Sequence, residues 1–212
     1  MIVQQTDLHS GGWLLDLAYG RHAFLHGRWD ICICSMTPTK ERAEVLDFVN
    51  EYYAAPATIT VNADNDAIKS AADLTGKKVD FEAGSTYEKY AQKALVFPPP
   101  STVKVDYPFG ELTAVPYDSE DTAFQDLGLG TGKRLDAVIN GYLTAKPRVE
   151  KSNGKLKNVG AALFAEPIWV AADKGDPEWQ AKIKSIFKAM SDDGTLKAIS
   201  LKWIGSDISS RQ

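Results

Sequence analysis

The chain has little of what marks a metal or redox protein: its 212 residues include only two cysteines and three histidines. Cys32 and Cys34 lie in DICIC, which alternates as a strand would, so neighbours two apart are not expected to bridge. Two thiols without a second Cys or His pair at ligand spacing are far from a zinc pattern, and the sequence predicts buried free thiols. His22 and His26 are four apart on a predicted helix, but no Glu follows His22 and only His9 remains as a further His, so no metal or cofactor is expected. No stretch approaches the roughly 20 apolar residues of a membrane-spanning helix. No basic run exceeds two residues, and 24 Lys+Arg against 28 Asp+Glu leave a net charge of -4, which does not suit a nucleic-acid backbone. The N-terminus lacks a basic segment followed by an apolar one, so the sequence as written carries no export signal. With 44% hydrophobic and 25% charged residues, the composition is that of a globular protein able to bury a core in one large domain or two small lobes.

Strand and helix patterns alternate along the chain. Residues 2–6 and 30–34 read as strands flanking a helical stretch that ends at Gly27, a βαβ unit. A second helix starts at Thr39, Ala57 to Val61 is strand-like, and DNDAIKSAADLTGKK predicts a short helix stopped by Gly76. Lys78 to Phe81 predicts a strand and Ser85 to Ala94 a helix. The Pro-rich run VFPPPSTVKVDYPFGEL then has no period and reads as a loop or hairpin excursion. Strand, capped helix and Gly-rich turn follow, with strands at Leu135 to Ile139 and Ile168 to Ala172. Asp176, Pro177 and Glu178 are a helix start, and Trp179, Ile183, Ile186, Phe187 and Met190 share the apolar face of that helix. A last helix, from about Thr195 to Ile204, uses Leu196, Ile199 and Trp203. The middle reads as a second α/β lobe between the two strands 57–61 and 168–172.

Two helix starts carry candidate chemistry. In Ser35-Met-Thr37-Pro-Thr39-Lys-Glu-Arg42, Thr39 is an N-cap, so Thr37, the free N–H groups of the first turn and Arg42 can converge on one anion. Arg42 suits a carboxylate because its planar fork can bond both oxygens. In Ala83-Gly84-Ser85-Thr86-Tyr87-Glu88, Ser85 and Glu88 have capping-box spacing and Gly84 allows close backbone approach. Each motif alone is equally well an ordinary cap. GLGTGKR resembles a phosphate loop only superficially, since Arg134 stands where Ser or Thr is needed. Trp169 and Trp179 read most simply as core.

Four stretches, in order, resemble the extracellular solute-binding proteins of family 3, which serve ABC importers of polar amino acids. They are GRWDICICSMTPTKERAEVLDFVNEYYAA, DLTGKKVDFEAGSTYEKYA, RLDAVINGYLTA and DKGDPEWQAKIKSIFKAMSDDGTLKAISLKWIG. The resemblance implies an α/β, two-lobed periplasmic-binding-protein-like fold of type II, with residues 1–55 and 171–212 as lobe 1 and 56–170 as lobe 2. A small ligand would be enclosed when the lobes close. It implies that Thr37 and Arg42 hold the ligand's α-carboxylate, that the backbone at Ser35 accepts from its ammonium, and that Ser85 and Thr86 face the carboxylate from lobe 2. The partners it implies are a small carboxylate ligand and the membrane subunits of an ABC transporter, in the periplasm; a native start at Met1 would favour the cytoplasm.

Two departures shape the expectation. Where the family commonly carries an Asp for the α-ammonium, five residues after Asp136, this chain has Gly141, so a ligand with a carboxylate and no ammonium gains weight. The family's opening strand and helix do not precede Ile2, so lobe 1 is expected to be incomplete at its N-terminus. Two alternatives remain: a truncated remnant without binding, or a homodimer completing lobe 1. A third is an enzyme like the cyclohexadienyl dehydratases, with Glu51, Glu82 or Glu88 as the acid.

Overall fold

The computed structural model describes the protein over residues 31–99, 101–117 and 119–209. The predicted βαβ unit over 2–34, except the end of its second strand, lies outside the described residues, as do Gly27, His9, His22 and His26. The elements in chain order are β1 (Cys32–Met36), α1 (Lys40–Val45), β2 (Leu46–Asn62), β3 (Lys78–Asp80), α2 (Thr86–Ala91), β4 (Thr113–Ala114) and α3 (Glu120–Leu127). They continue as β5 (Ala137–Gly141), α4 (Tyr142–Lys151), β6 (Leu156–Val159), β7 (Ala165–Asp173), α5 (Pro177–Asp192) and α6 (Thr195–Ile204).

The strand β2 organises the molecule. It extends well beyond the predicted 57–61, where Thr, Ile and Val favour extended backbone, and its first part is held by pairing with β7. The first part, Leu46 to Pro56, pairs antiparallel with β7, which also pairs with β1. From Ala57 onward the partners are β5 and β6, both antiparallel, and the sheet continues through β3 to β4. Pro56, with no N–H to donate, stands where β2 changes partners. The β3–β5 and β3–β4 pairs are parallel, so the sheet is mixed and helices connect its strands, an α/β fold.

The main core lies on the β2–β5–β3 part, where Ile59, Val61, Val79, Ala137 and Ile139 are fully buried. The described residues of the Pro-rich excursion form no ladder with one another and instead close this core: Phe97 and Phe109 are buried beside Tyr90 and Phe164. A second packing region joins Val49, Val170 and Ala172 to Ile183 and Phe187 of α5.

Several expectations are corrected. Cys32 and Cys34 are joined as a disulfide. The ladder between β1 and β7 is irregular between Cys32 and Met36, Ser35 takes the left-handed conformation (φ 57°), and the two Cα atoms are 5.4 Å apart, within disulfide reach. The stretch around residues 64–78 forms only a single 3-10 turn, Ala71–Leu74. Asn65 Oδ1 accepts from the N–H groups of Ala67 and Ile68, and the Asp73 carboxylate from those of Lys69 and Ser70, so side chains take the donors a helix would need. The strand placed at Leu135 to Ile139 runs from Ala137 to Gly141. Ile186, Ile199 and Trp203, assigned to inward faces, are exposed.

Candidate functional site

Thr37 follows β1, whose end is turned by the left-handed Ser35. Tyr52 and Tyr53 of β2 hold that turn: the Tyr52 hydroxyl accepts from the Ser35 N–H at 3.2 Å, and the Tyr53 hydroxyl donates to Ser35 Oγ at 2.8 Å. Thr39 caps α1 as predicted, accepting from the Arg42 N–H at 3.3 Å. Arg42 folds back over its own loop and donates from Nη1 to the Thr37 carbonyl at 2.9 Å. Burial pulls the Arg42 guanidinium below its ordinary range, while the charges of Glu166, Glu82 and Glu41 act in the opposite direction.

The second helix start comes from beyond β3. Ser85 is the N-cap of α2, accepting from the Glu88 N–H at 3.2 Å while its hydroxyl donates to the Glu82 carbonyl. The Glu88 carboxylate reaches the Gly84 N–H at 2.6 Å, one residue earlier than the predicted box. Thr86, buried at the first helical position, is left to point elsewhere. Lys89 of α2 pairs with Glu41 of α1 at 3.0 Å, tying the two helices together.

Both threonines point at Glu166. This residue lies near the start of β7, is 7% exposed, and was not singled out in the sequence. Its Oε1 accepts from Thr37 Oγ1 at 2.6 Å and also from Thr86 Oγ1, while Oε2 accepts from the Tyr87 hydroxyl at 2.7 Å. The donors come from residues 129 and 80 positions away in sequence; the β1–β7 pairing brings Thr37 to Glu166, and the start of α2 brings Thr86. Burial, then the Glu166 charge, hold the Tyr87 phenol well above its ordinary range.

Gly141 ends β5 beside the same group. A Cβ built at Gly141 would stand 2.9 Å from the Tyr87 hydroxyl, so Tyr87 fills the space of a side chain at this position. The neighbouring Asn140 is buried, with the Glu120 carboxylate beside its side chain. Three further carboxyls line this side. Burial raises Glu82, Glu120 and Asp80, the last to about 7; the Glu120 charge adds to it at Glu82 and Asp80, and Asp121 adds to it at Glu120.

Of the six residues named from the sequence, Thr37, Arg42, Thr86 and Gly141 gather around Glu166, whereas the Ser35 hydroxyl bonds Tyr53 and the Ser85 hydroxyl bonds within its own turn. Glu166 itself carried one legible signal, an acid adjoining an otherwise apolar strand run, EPIWVAA. Of the acids named for an enzyme, Glu88 is engaged at Gly84 and Glu51 lies away from Glu166, in a groove with Trp169 and Phe187; Glu82 alone is near Arg42.

Comparison with known proteins gives this geometry a context. Residues 21–206 match the family described as bacterial extracellular solute-binding proteins, family 3. The L-cystine-binding protein TcyJ of Escherichia coli is 31% identical over 182 residues, which is 85% of this chain and 62% of that protein. An L-arginine-binding protein of Pseudomonas aeruginosa is 33% identical over 186 residues, 84% of this chain and 66% of the relative, so the chain spans somewhat less than two thirds of either. Among solved structures, an ancestral arginine-binding protein bound to arginine superposes with a TM-score of 0.70 at 32% identity, covering 93% of this chain and 78% of that one. The architecture is that of the type II periplasmic binding proteins.

Proposed function

Because the chain belongs to the bacterial extracellular solute-binding proteins, family 3, we propose that it is a binding protein, not an enzyme, for a small carboxylate-bearing solute of the amino-acid kind. The observation that carries this reading is the convergence of Thr37 and Thr86 on one carboxylate oxygen, with Arg42 alongside. Two hydroxyl donors and a guanidinium are the chemistry that recognises a carboxylate, and here the two hydroxyls hold the protein's own Glu166 while Arg42 feels its charge. In this reading residues 1–55 and 171–212 form one lobe and 56–170 the other. The solute's carboxylate enters between them, Arg42 is its ion partner, and closure is sensed by the membrane subunits of an ABC importer on the outer side of the membrane.

The relatives are named for cystine and arginine, which supports an amino acid as the solute. The test is calorimetric titration, with thermal shift, of L-arginine, L-glutamine and L-cystine into the purified chain and its Arg42→Ala variant. Expected is a rise in melting temperature with at least one of them. Arg42→Ala should weaken that binding by about 2–3 kcal/mol, the scale of a lost charge-assisted hydrogen bond. Binding that survives the substitution unchanged overturns the role of Arg42. Silence across the panel, in a chain that melts cooperatively, overturns the binding reading in favour of a remnant.

A further inference from the structure

Glu166 does more than show that the site accepts a carboxylate. Its oxygens use the hydroxyl protons of Thr37, Thr86 and Tyr87, and each hydroxyl has only one proton to donate. All three donors are neutral, and among the described residues no Lys or Arg forms an ion pair with Glu166. Arg42 feels its charge without contacting it and shares its own charge with Glu82 and Glu41. A buried carboxylate so placed is incompletely compensated. A ligand that brings only a second carboxylate would compete for the same two threonines and add repulsion around one guanidinium. A ligand that also brings an ammonium supplies an ion-pair partner that no described residue gives Glu166.

Position 141 points the same way. Gly141 offers no side chain, and the Tyr87 hydroxyl occupies the space where one would begin. Glu166 Oε2 lies 2.7 Å beyond that hydroxyl, so β7 delivers a carboxylate to the neighbourhood that β5 leaves without one. We propose, on the premise of the binding function above, that Glu166 is the specificity-determining residue of this site: it selects amine-bearing carboxylates and rejects bare ones. This reverses the expectation drawn from Gly141 alone.

The experiment compares L-arginine and L-glutamine with their 2-oxo acid counterparts by calorimetry, in the wild-type chain, Glu166→Gln and Glu166→Asp. The wild type should prefer each amino acid to its oxo acid by about tenfold or more, the scale of one charge-assisted contact. Glu166→Gln keeps the shape and one acceptor but loses the charge; amino-acid affinity should fall, oxo-acid affinity should rise, and the preference should shrink about tenfold or more. Glu166→Asp, still charged, should keep the preference. An unchanged preference in Glu166→Gln, or equal affinities in the wild type, overturns the proposal while leaving the binding function standing. The wild-type comparison applies even if Glu166→Gln does not fold. If neither ligand class binds the wild type or Glu166→Gln, both melting cooperatively, the binding function itself fails and the proposal with it. Binding by Glu166→Gln alone overturns the proposal, because Glu166 would then exclude the ligand and not select it.

Discussion

At the scale of single residues, the site depends on a contact that a glycine permits. Gly141 has φ -68°, open to any residue, so its need for a missing side chain comes from Tyr87 and not from backbone strain. Gly141→Ala must push the Tyr87 hydroxyl away from Glu166. The ring has little freedom, since it stacks on Phe164 with centroids 6.3 Å apart. We predict a loss of about 1–3 kcal/mol in urea unfolding for Gly141→Ala, as for other overpacked sites. Adding Tyr87→Phe should recover part of it, because the next ring atom, Cζ, lies 3.9 Å from the added Cβ, an ordinary contact. Costs that simply add would show that Tyr87 is not what Gly141 accommodates. Thr39 and Ser85 were legible as caps because capping is a local bond; Glu166 was not, because its donors come from remote segments.

At the scale of elements, the helices hold their places through few residues. On α5, Asp176 caps the start through the Trp179 N–H at 2.8 Å, and Ile183 and Phe187 are buried against β2 and β7. Phe187→Ala should destabilise by about 3–5 kcal/mol, a transfer loss plus a cavity. Ile186→Ala, one position along and exposed, should stay within about 0.5 kcal/mol. Chemical denaturation of the two variants checks this, and equal costs would mean that the apolar face had been misassigned. Helical period located the α5 face, but only packing decided that Ile186 falls at its edge. The strand β2 was half legible: the β-branched stretch 57–61 was clear, whereas Asp, Asn, Glu and Pro obscured residues 46–56. Pairing with β7 overrides those propensities.

At the scale of the whole molecule, the buried acids set how stability varies with pH. Asp80 has its carboxyl raised to about 7, first by burial and then against the N–H of Tyr117, with Glu120 adding repulsion. A carboxyl higher in the folded than in the unfolded chain carries no penalty at pH below its ordinary value of 3.8, and the folded state loses stability as pH rises from there through 7. Raised Glu82 and Glu120 act with the same sign. Glu41, lowered to about 2 by its own backbone N–H and by Lys89, acts oppositely and only in more acid solution. Asp80→Asn should therefore raise stability at pH 8 by about 1–3 kcal/mol and leave it nearly unchanged at pH 4. Urea melts at the two pH values read this directly, and an equal effect at both would remove Asp80 from the pH response.

The sequence by itself determined the α/β alternation, the two helix starts and the family, because caps, periodicity and motif order are local along the chain. Only the tertiary structure decided that Thr37 and Thr86 meet, and that they meet on Glu166. A carboxylate in an apolar strand run acquires its meaning from what the β1–β7 pairing and the start of α2 set beside it, and no spacing in the sequence encodes that register.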